Sequence, residues 1–151
     1  MRIGIVTEPS DPVVRGVLLQ GISHTRDEAL RARLFALTLD EHSGLRQNEV
    51  YRPFMAQAEE AEGRDALFAF IGASYDPLVA RIGPYMSGYL PYVGAGFCSA
   101  ERAAAVRELF TPRVAATQGG PRNLESTVES VELCAALRDH ARESAATFFA
   151  R

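Results

Sequence analysis

Tryptophan and lysine are both missing from this 151-residue chain, and histidine occurs only three times. All 16 basic residues are arginine, set against 19 acidic residues for a net charge of −3. Lysine's absence reads as a high-GC, bacterial coding bias rather than as arginine selected site by site. So thin a positive balance argues against nucleic acid as a partner, because that binding rests on dense positive charge. Long apolar runs are lacking too. None reaches the roughly 18 residues that a bilayer span requires, which excludes a membrane partner. The opening "MRIGIVTEPSD" has its apolar run interrupted by Gly4, unlike a signal peptide or an anchor. The expected location is therefore the cytoplasm. Only two cysteines occur, Cys98 and Cys134, far apart in sequence. A disulfide is compatible with them, but without a secretory signal the favoured reading is two buried free thiols packing like small apolar groups.

Catalytic signatures are equally scarce. The zinc motif H-E-x-x-H is absent, and no two of His24, His42 and His140 stand four residues apart on one helical face. His24 and His140 are expected at helix ends, where the dipole favours a cation. No G-x-S-x-G nucleophile elbow occurs. The carboxylate pairs Glu59-Glu60 and Glu125-Glu129 fall on the outward sides of expected helices and read as solvated faces.

What the chain does have is helical punctuation. Residues 1–10 form a terminal segment with one β-like hint at Ile3-Gly4-Ile5. From Asp11 onward a single helical domain is expected to run to residue 151. Asp11-Pro12 is an N-cap followed by proline at the first helical position. Val14, Leu18 and Ile22 then recur at a spacing of four and are expected inside. A second helix, about Asp27 to Leu39, should bury Leu30, Leu34, Leu37 and Phe35 with Arg31 and Arg33 outside. Together these two helices make an αα-hairpin. A third helix, from about Gln47 to Ala61, would turn Tyr51, Phe54, Met55 and Ala58 inward, and Gly63 would separate it from the next. Leu67, Phe70, Ile71 and Tyr75 form a broad apolar stripe, and Asp76-Pro77 predicts a kink or restart. Residues 83–97 are irregular or short-helical. Ser99 caps a further helix with Ala105, Val106, Leu109 and Phe110 on its apolar edge. A long last helix spans about Pro121 to His140, with Leu124, Val128, Val131 and Ala135 inside, widened by Leu133, Cys134 and Leu137. The expected fold is all-α, built of stacked antiparallel helix hairpins of HEAT-like type, although no strict repeat period emerges.

Two places invite a ligand. Gly119-Gly120-Pro121-Arg122 resembles a phosphate loop, but no strand precedes it and no lysine follows. It reads better as a helix entrance, with Glu125 in the first turn opposing the dipole. Arg122 runs against that dipole preference and is the one candidate contact for a peptide or anion. Tyr85, Tyr89 and Tyr92 are candidate surface contacts, since tyrosine offers area and a hydroxyl.

The order of segments is more telling than any one of them. "LRARLFALTLD", "LRQNEV", "RDALFAFIGASYDPLVARI", "GFCSAERAAAVRELF" and "GGPRNLESTVESVELCAALR" together resemble the C-terminal helical domain of the aminopeptidase N family of zinc aminopeptidases, over residues 11 to 149. Phe68 stands where that family has tryptophan, and Ser74-Tyr75 replaces the asparagine before Asp76. The enzymes' H-E-x-x-H and G-x-M-E-N motifs are absent. The resemblance thus implies a non-catalytic, HEAT-like domain, a fragment or split product that caps the catalytic cleft and shapes peptide access. No cofactor is expected in this chain, zinc belonging to the parent enzyme. The implied partners are the catalytic domains of the same aminopeptidase and, indirectly, the peptide substrate, with a dimer through the exposed docking face also compatible. A free-standing HEAT-like protein- or peptide-interaction module is the alternative.

Overall fold

The computed structural model of the chain describes residues 11–149, apart from the side chain of Glu143; the terminal segment 1–10 and its β-like hint lie outside the described residues. Among the described residues there are seven α-helices, one 3-10 turn and no strand, so the fold is all-α as expected. The helices gather into two compact units, one ending at Ser87 and the other beginning at Gly88.

The first unit holds α1 (Pro12–Ser23), α2 (Glu28–Leu39), α3 (Tyr51–Glu59), α4 (Ala61–Ala73) and α5 (Tyr75–Ser87). Local signals set most of their starts. The Asp11 carboxylate accepts from the amides of Val13 at 2.7 Å and Val14 at 3.3 Å, with Pro12 in the first turn. Asp27 accepts from Leu30 N–H at 2.8 Å and so caps α2. Restart at Asp76-Pro77 is also found, although α5 begins two residues before the proline. Pro77 then occupies the third helical position, where its missing N–H costs no intrahelical bond. Gly63, expected as a separator, lies inside the first turn of α4; the chain breaks instead at the extended Glu60. A Cβ on Gly63 would run into the Gln57 side chain and come within 2.9 Å of its carbonyl oxygen, so glycine is required for close approach.

The faces differ from expectation more than the spans do. In α1 the buried residues are Arg15, Leu19 and Ser23, one position on from the expected stripe, while Val14 and Leu18 are exposed. Arg15 donates from Nε and Nη2 to the two oxygens of Glu49, at 2.7 and 2.8 Å, and from Nη2 to Gly44 C=O at 2.6 Å. That buried fork turns α1. In α2, Arg31 is buried rather than outside, and Leu30 is exposed. The Arg31 Nε–H donates at 2.7 Å to Oε1 of Gln57, a side chain with no exposure at all. Gln57 in turn donates to the carbonyls of Ser23 and Thr25 at 2.6 and 3.0 Å. Apolar packing closes around this polar frame. Phe54, Leu67, Ile71, Leu78 and Ile82 are buried, and Phe35 stacks on Phe70 with ring centroids 4.7 Å apart. Met55, expected inside, is exposed. Gly83, at φ 81° and ψ 165°, interrupts α5, and Gln47 donates to the Ile82 carbonyl at 2.9 Å.

In the second unit a 3-10 turn (Leu90–Gly94) is followed by α6 (Ala100–Val114) and α7 (Gly120–Phe149). Ser99 caps α6 by accepting from Arg102 N–H at 3.2 Å. Leu90, Val93, Val106, Phe110, Val114, Leu124, Val128 and Val131 form the core. The last helix does not stop near His140. It runs on unbroken for 30 residues, about 45 Å of rise, so His140 is within a helix and not at its end. Leu133, Cys134 and Leu137 face solvent instead of widening the core, and past Ala135 every described side chain of α7 is exposed. Cys98 and Cys134 are joined in a disulfide with Cα atoms 5.1 Å apart, which overturns the expectation of two buried free thiols. Both cysteines are equidistant from residue 116 in the turn between α6 and α7, so folding the hairpin brings them face to face. No described helix is long and apolar enough to cross a membrane.

Two outcomes follow from these pairings. Glu49 is held below the ordinary carboxylate range, foremost by the Arg15 hydrogen bond and with help from the Arg46 amide, against the opposing effect of burial. A lowered folded value makes its contribution fully present above the unfolded value of about 4.3 and lost as pH falls through the folded value. Glu49→Gln should destabilise by about 3–5 kcal/mol near pH 7, since it strands a buried guanidinium. The gap to wild type in urea melts should narrow as pH drops below that range; a constant gap down to acid unfolding would refute the assignment. Separately, the disulfide closes a loop of sequence separation 36. Reducing it, or the pair Cys98→Ala and Cys134→Ala, should cost about 2–4 kcal/mol in chemical denaturation.

Candidate functional site

Each candidate residue has a definite place. Gly119 adopts φ 75°, the left-handed region that suits glycine, and its carbonyl accepts from Asn123 N–H at 2.9 Å as α7 begins. Gly120 is buried, and a Cβ there would strike Thr117 and lie 2.8 Å from the Val114 Cβ. The glycine pair therefore makes a tight helix entrance, and its close fit accounts for both residues. Glu125 is not in the first turn of α7, which carries no acid. It pairs across the hairpin with Arg107 of α6, at 2.9 and 3.2 Å from Nη1. Those two residues are also centred on residue 116. Arg122 sits exposed in the first turn of α7 with no hydrogen bond or ion pair to any described residue.

The three tyrosines do not form one cluster within a unit. Tyr85 belongs to the first unit and is 58% exposed, whereas Tyr89 and Tyr92 belong to the second and are half-buried. Rings of Tyr89 and Tyr92 lie 6.3 Å apart. The Tyr92 hydroxyl donates to Asn123 Oδ1 at 3.1 Å, and Asn123 Nδ2 donates to the Gly88 carbonyl at 2.9 Å. This chain of bonds ties the 3-10 turn to the start of α7. The Tyr92 hydroxyl is thus committed to the fold.

Histidines and carboxylates are dispersed. His24 ends α1, with Gln20 at 2.9 Å from one ring nitrogen and Glu60 at 3.3 Å from the other. Glu60 also takes Arg26 at 3.3 Å, so this glutamate is a structural partner and not part of a free acidic pair. Among the described residues no three His, Cys, Asp or Glu side chains come together to hold a metal ion.

One concavity among the described residues was missed in reading the sequence. A pocket of about 440 Å³ opens where the end of α1 meets the start of α2, lined by Gly21, Ile22, His24, Thr25, Leu30, Arg33 and Leu34. Its walls are mostly apolar, with an imidazole and a guanidinium at the rim. That makeup suits binding of an apolar group beside an anion. A signal for it was present: Ile22, Leu30 and Leu34 flank the break at Ser23-His24-Thr25, and a short break between apolar helices leaves a cleft at the elbow. A second hollow, about 390 Å³ and shallow, lies on α6 and α7 among Ala100, Ala104, Arg107, Glu108, Thr111 and Glu132.

The Tyr92 hydroxyl can be tested by substitution. Tyr92→Phe should lower the stability of the second unit by about 0.5–1.5 kcal/mol, leaving Asn123 short of a donor. An unchanged thermal melt would refute that role.

Compared with known families, residues 3–133 match the model of the ERAP1-like C-terminal domain. The search of curated proteins and that of solved structures each returned no match.

Proposed function

Because this chain belongs to the family of ERAP1-like C-terminal domains, we propose that it serves as the non-catalytic helical portion of a zinc aminopeptidase. In this reading it caps the catalytic cleft carried by other domains and shapes how peptides reach the zinc held there. The observation that carries the proposal is the family match over residues 3–133, which takes in six of the seven helices and the start of the seventh. Dispersal of the histidines, and the use of Glu49, Glu60 and Glu125 in internal pairs, agree with it. Peptide contact falls to Arg122, whose guanidinium is free at the head of α7 to meet a carboxylate. The HEAT-like description rests on the αα-hairpins of each unit. As for compartment, a cytoplasmic location goes with the cysteine pair reduced, whereas the bonded pair fits an oxidising one.

An interaction module acting in trans is the second reading, favoured by the exposed apolar side chains of α1. Both readings exclude turnover by the isolated chain. Purified protein should hydrolyse no aminoacyl anilide and carry no stoichiometric zinc. Chelator-sensitive hydrolysis at a steady rate through a final size-exclusion step would overturn both. Restoration of normal peptide-length preference to a family aminopeptidase stripped of its own C-terminal helices would support the capping role; unchanged preference despite stable association would count against it.

A further inference from the structure

Cys98 and Cys134 are the only cysteines of the chain, and the disulfide between them is at the surface of the second unit. Cys134 is exposed and Cys98 half-buried. Exposed disulfides are the ones that thiols open readily, because exchange needs a thiolate to reach one of the two sulfurs. The two half-cystines are placed differently. Cys134 is inside helix α7, one residue before Ala135, after which every described side chain of that helix is exposed. Cys98 is in no helix and directly precedes the Ser99 cap of α6.

What holds Cys98 in place is independent of the disulfide. On one side Phe97 is buried, its amide donates to the Gly94 carbonyl at 3.0 Å, and the Arg102 guanidinium carbon is 4.7 Å from its ring centroid. On the other side Ser99 accepts from Arg102 N–H at 3.2 Å. Cys134 is fixed in turn by α7, whose Val128 and Val131 are buried just before it. With the bond open, the Cys98 thiol therefore stays beside Cys134. Their Cα atoms, 5.1 Å apart, are within the range that a disulfide spans. No third thiol of the chain competes. A group attached to Cys134 has solvent ahead of it, whereas one attached to Cys98 would be crowded between Phe97 and the head of α6.

We propose that the Cys98–Cys134 bond is a reversible thiol-exchange site, with Cys134 as the sulfur that takes the incoming group and Cys98 as the resolving thiol. A low-molecular-weight thiol of the cysteinyl-peptide class attacks the Cys134 Sγ as its thiolate. The Cys98–Cys134 bond breaks, a mixed disulfide forms on Cys134, and Cys98 leaves as a thiolate. The proton lost by the incoming thiol returns to Cys98 through water. In reverse, Cys98 attacks the Cys134 Sγ, expels the small thiol and restores the bond; neither direction gains or loses electrons overall. The small-thiol concentration thereby sets whether the α6–α7 hairpin is cross-linked. The family match ends at residue 133, so the modified sulfur belongs to the part of α7 beyond it. The exchange concerns the second unit alone and is independent of the role proposed for the chain in a peptidase.

The test uses the full oxidised chain with reduced glutathione as the probe, at mildly alkaline pH. Free thiols are then blocked with N-ethylmaleimide and the labelled sites located by peptide mass spectrometry. Glutathione should appear on Cys134 and maleimide on Cys98, in about tenfold or greater excess over the reverse arrangement. Far-UV circular dichroism of the adduct should match that of the disulfide form. When glutathione is removed before blocking, the wild-type chain should return to the disulfide and release what it carried. The variant Cys98→Ser, loaded on Cys134 with oxidised glutathione, should keep its adduct under the same treatment. Absence of any adduct on the native chain would make the bond a fixed staple and overturn the proposal. So would equal labelling of the two sulfurs, loss of helix on exchange, or an adduct that persists on the wild-type chain once glutathione is withdrawn.

Discussion

The guanidinium of Arg15 meets both oxygens of Glu49 beneath the surface of the first unit, and much else in that unit follows from this contact. Both side chains are less than a tenth exposed. An ion pair in such a place is tolerated only when its geometry is good and its remaining polar atoms are met. Here the fork is bidentate, the Gly44 carbonyl accepts from Arg15, and the Arg46 amide donates to Glu49. The pair thereby folds the turn before α3 against α1. It also fixes the rotation of α1, because an arginine bound inward drags Leu19 and Ser23 in with it. Val13, Val14, Val17 and Leu18 are then outside by geometry, not by any polarity of their own.

That rotation explains why the sequence misled about the faces of the first helices while it was more reliable about where several helices start. Helix starts are local events: a carboxylate or hydroxyl caps an amide two or three residues on, as Asp11, Asp27 and Ser99 do. Such signals can be read along the chain. Face selection is non-local. A helix with apolar residues on nearly every side, such as α1, offers no stripe to choose between, so the partner at Glu49 decides. The same holds for Arg31, whose place inside depends on Gln57 in another helix. Once that glutamine bridges Arg31 to the carbonyls of Ser23 and Thr25, the α1–α2 elbow is pinned and the pocket beside it takes shape. Neither buried arginine could be assigned from periodicity, which treats charge as a mark of the outside.

In the second unit the corresponding constraint is the hairpin itself. With α6 and α7 packed about a turn centred near residue 116, pairs at equal distance from that centre are brought together. Cys98 meets Cys134, and Arg107 meets Glu125. Spacing along the chain hid both pairs, because the glycines that mark the connection in the sequence lie at its far end, past the centre of the hairpin. The phosphate-loop appearance of that turn has the same origin. Gly119 supplies a positive φ and Gly120 allows close packing on Val114 and Thr117, which are demands of a tight connection.

Many polar side chains are thus consumed in holding the fold. Arg15, Glu49, Arg31, Gln57, Tyr92 and Asn123 all spend polar atoms on internal partners. What is left outside is the valine face of α1, the stretch of α7 past Ala135, and exposed arginines such as Arg33, Arg52 and Arg122. This division agrees with the family to which the chain belongs, a domain named for its place in an enzyme. Family likeness was legible because the order of caps, breaks and glycine turns is a property of the linear chain. Which face of α1 is left outside was not, because it depends on which way a buried arginine turns that helix.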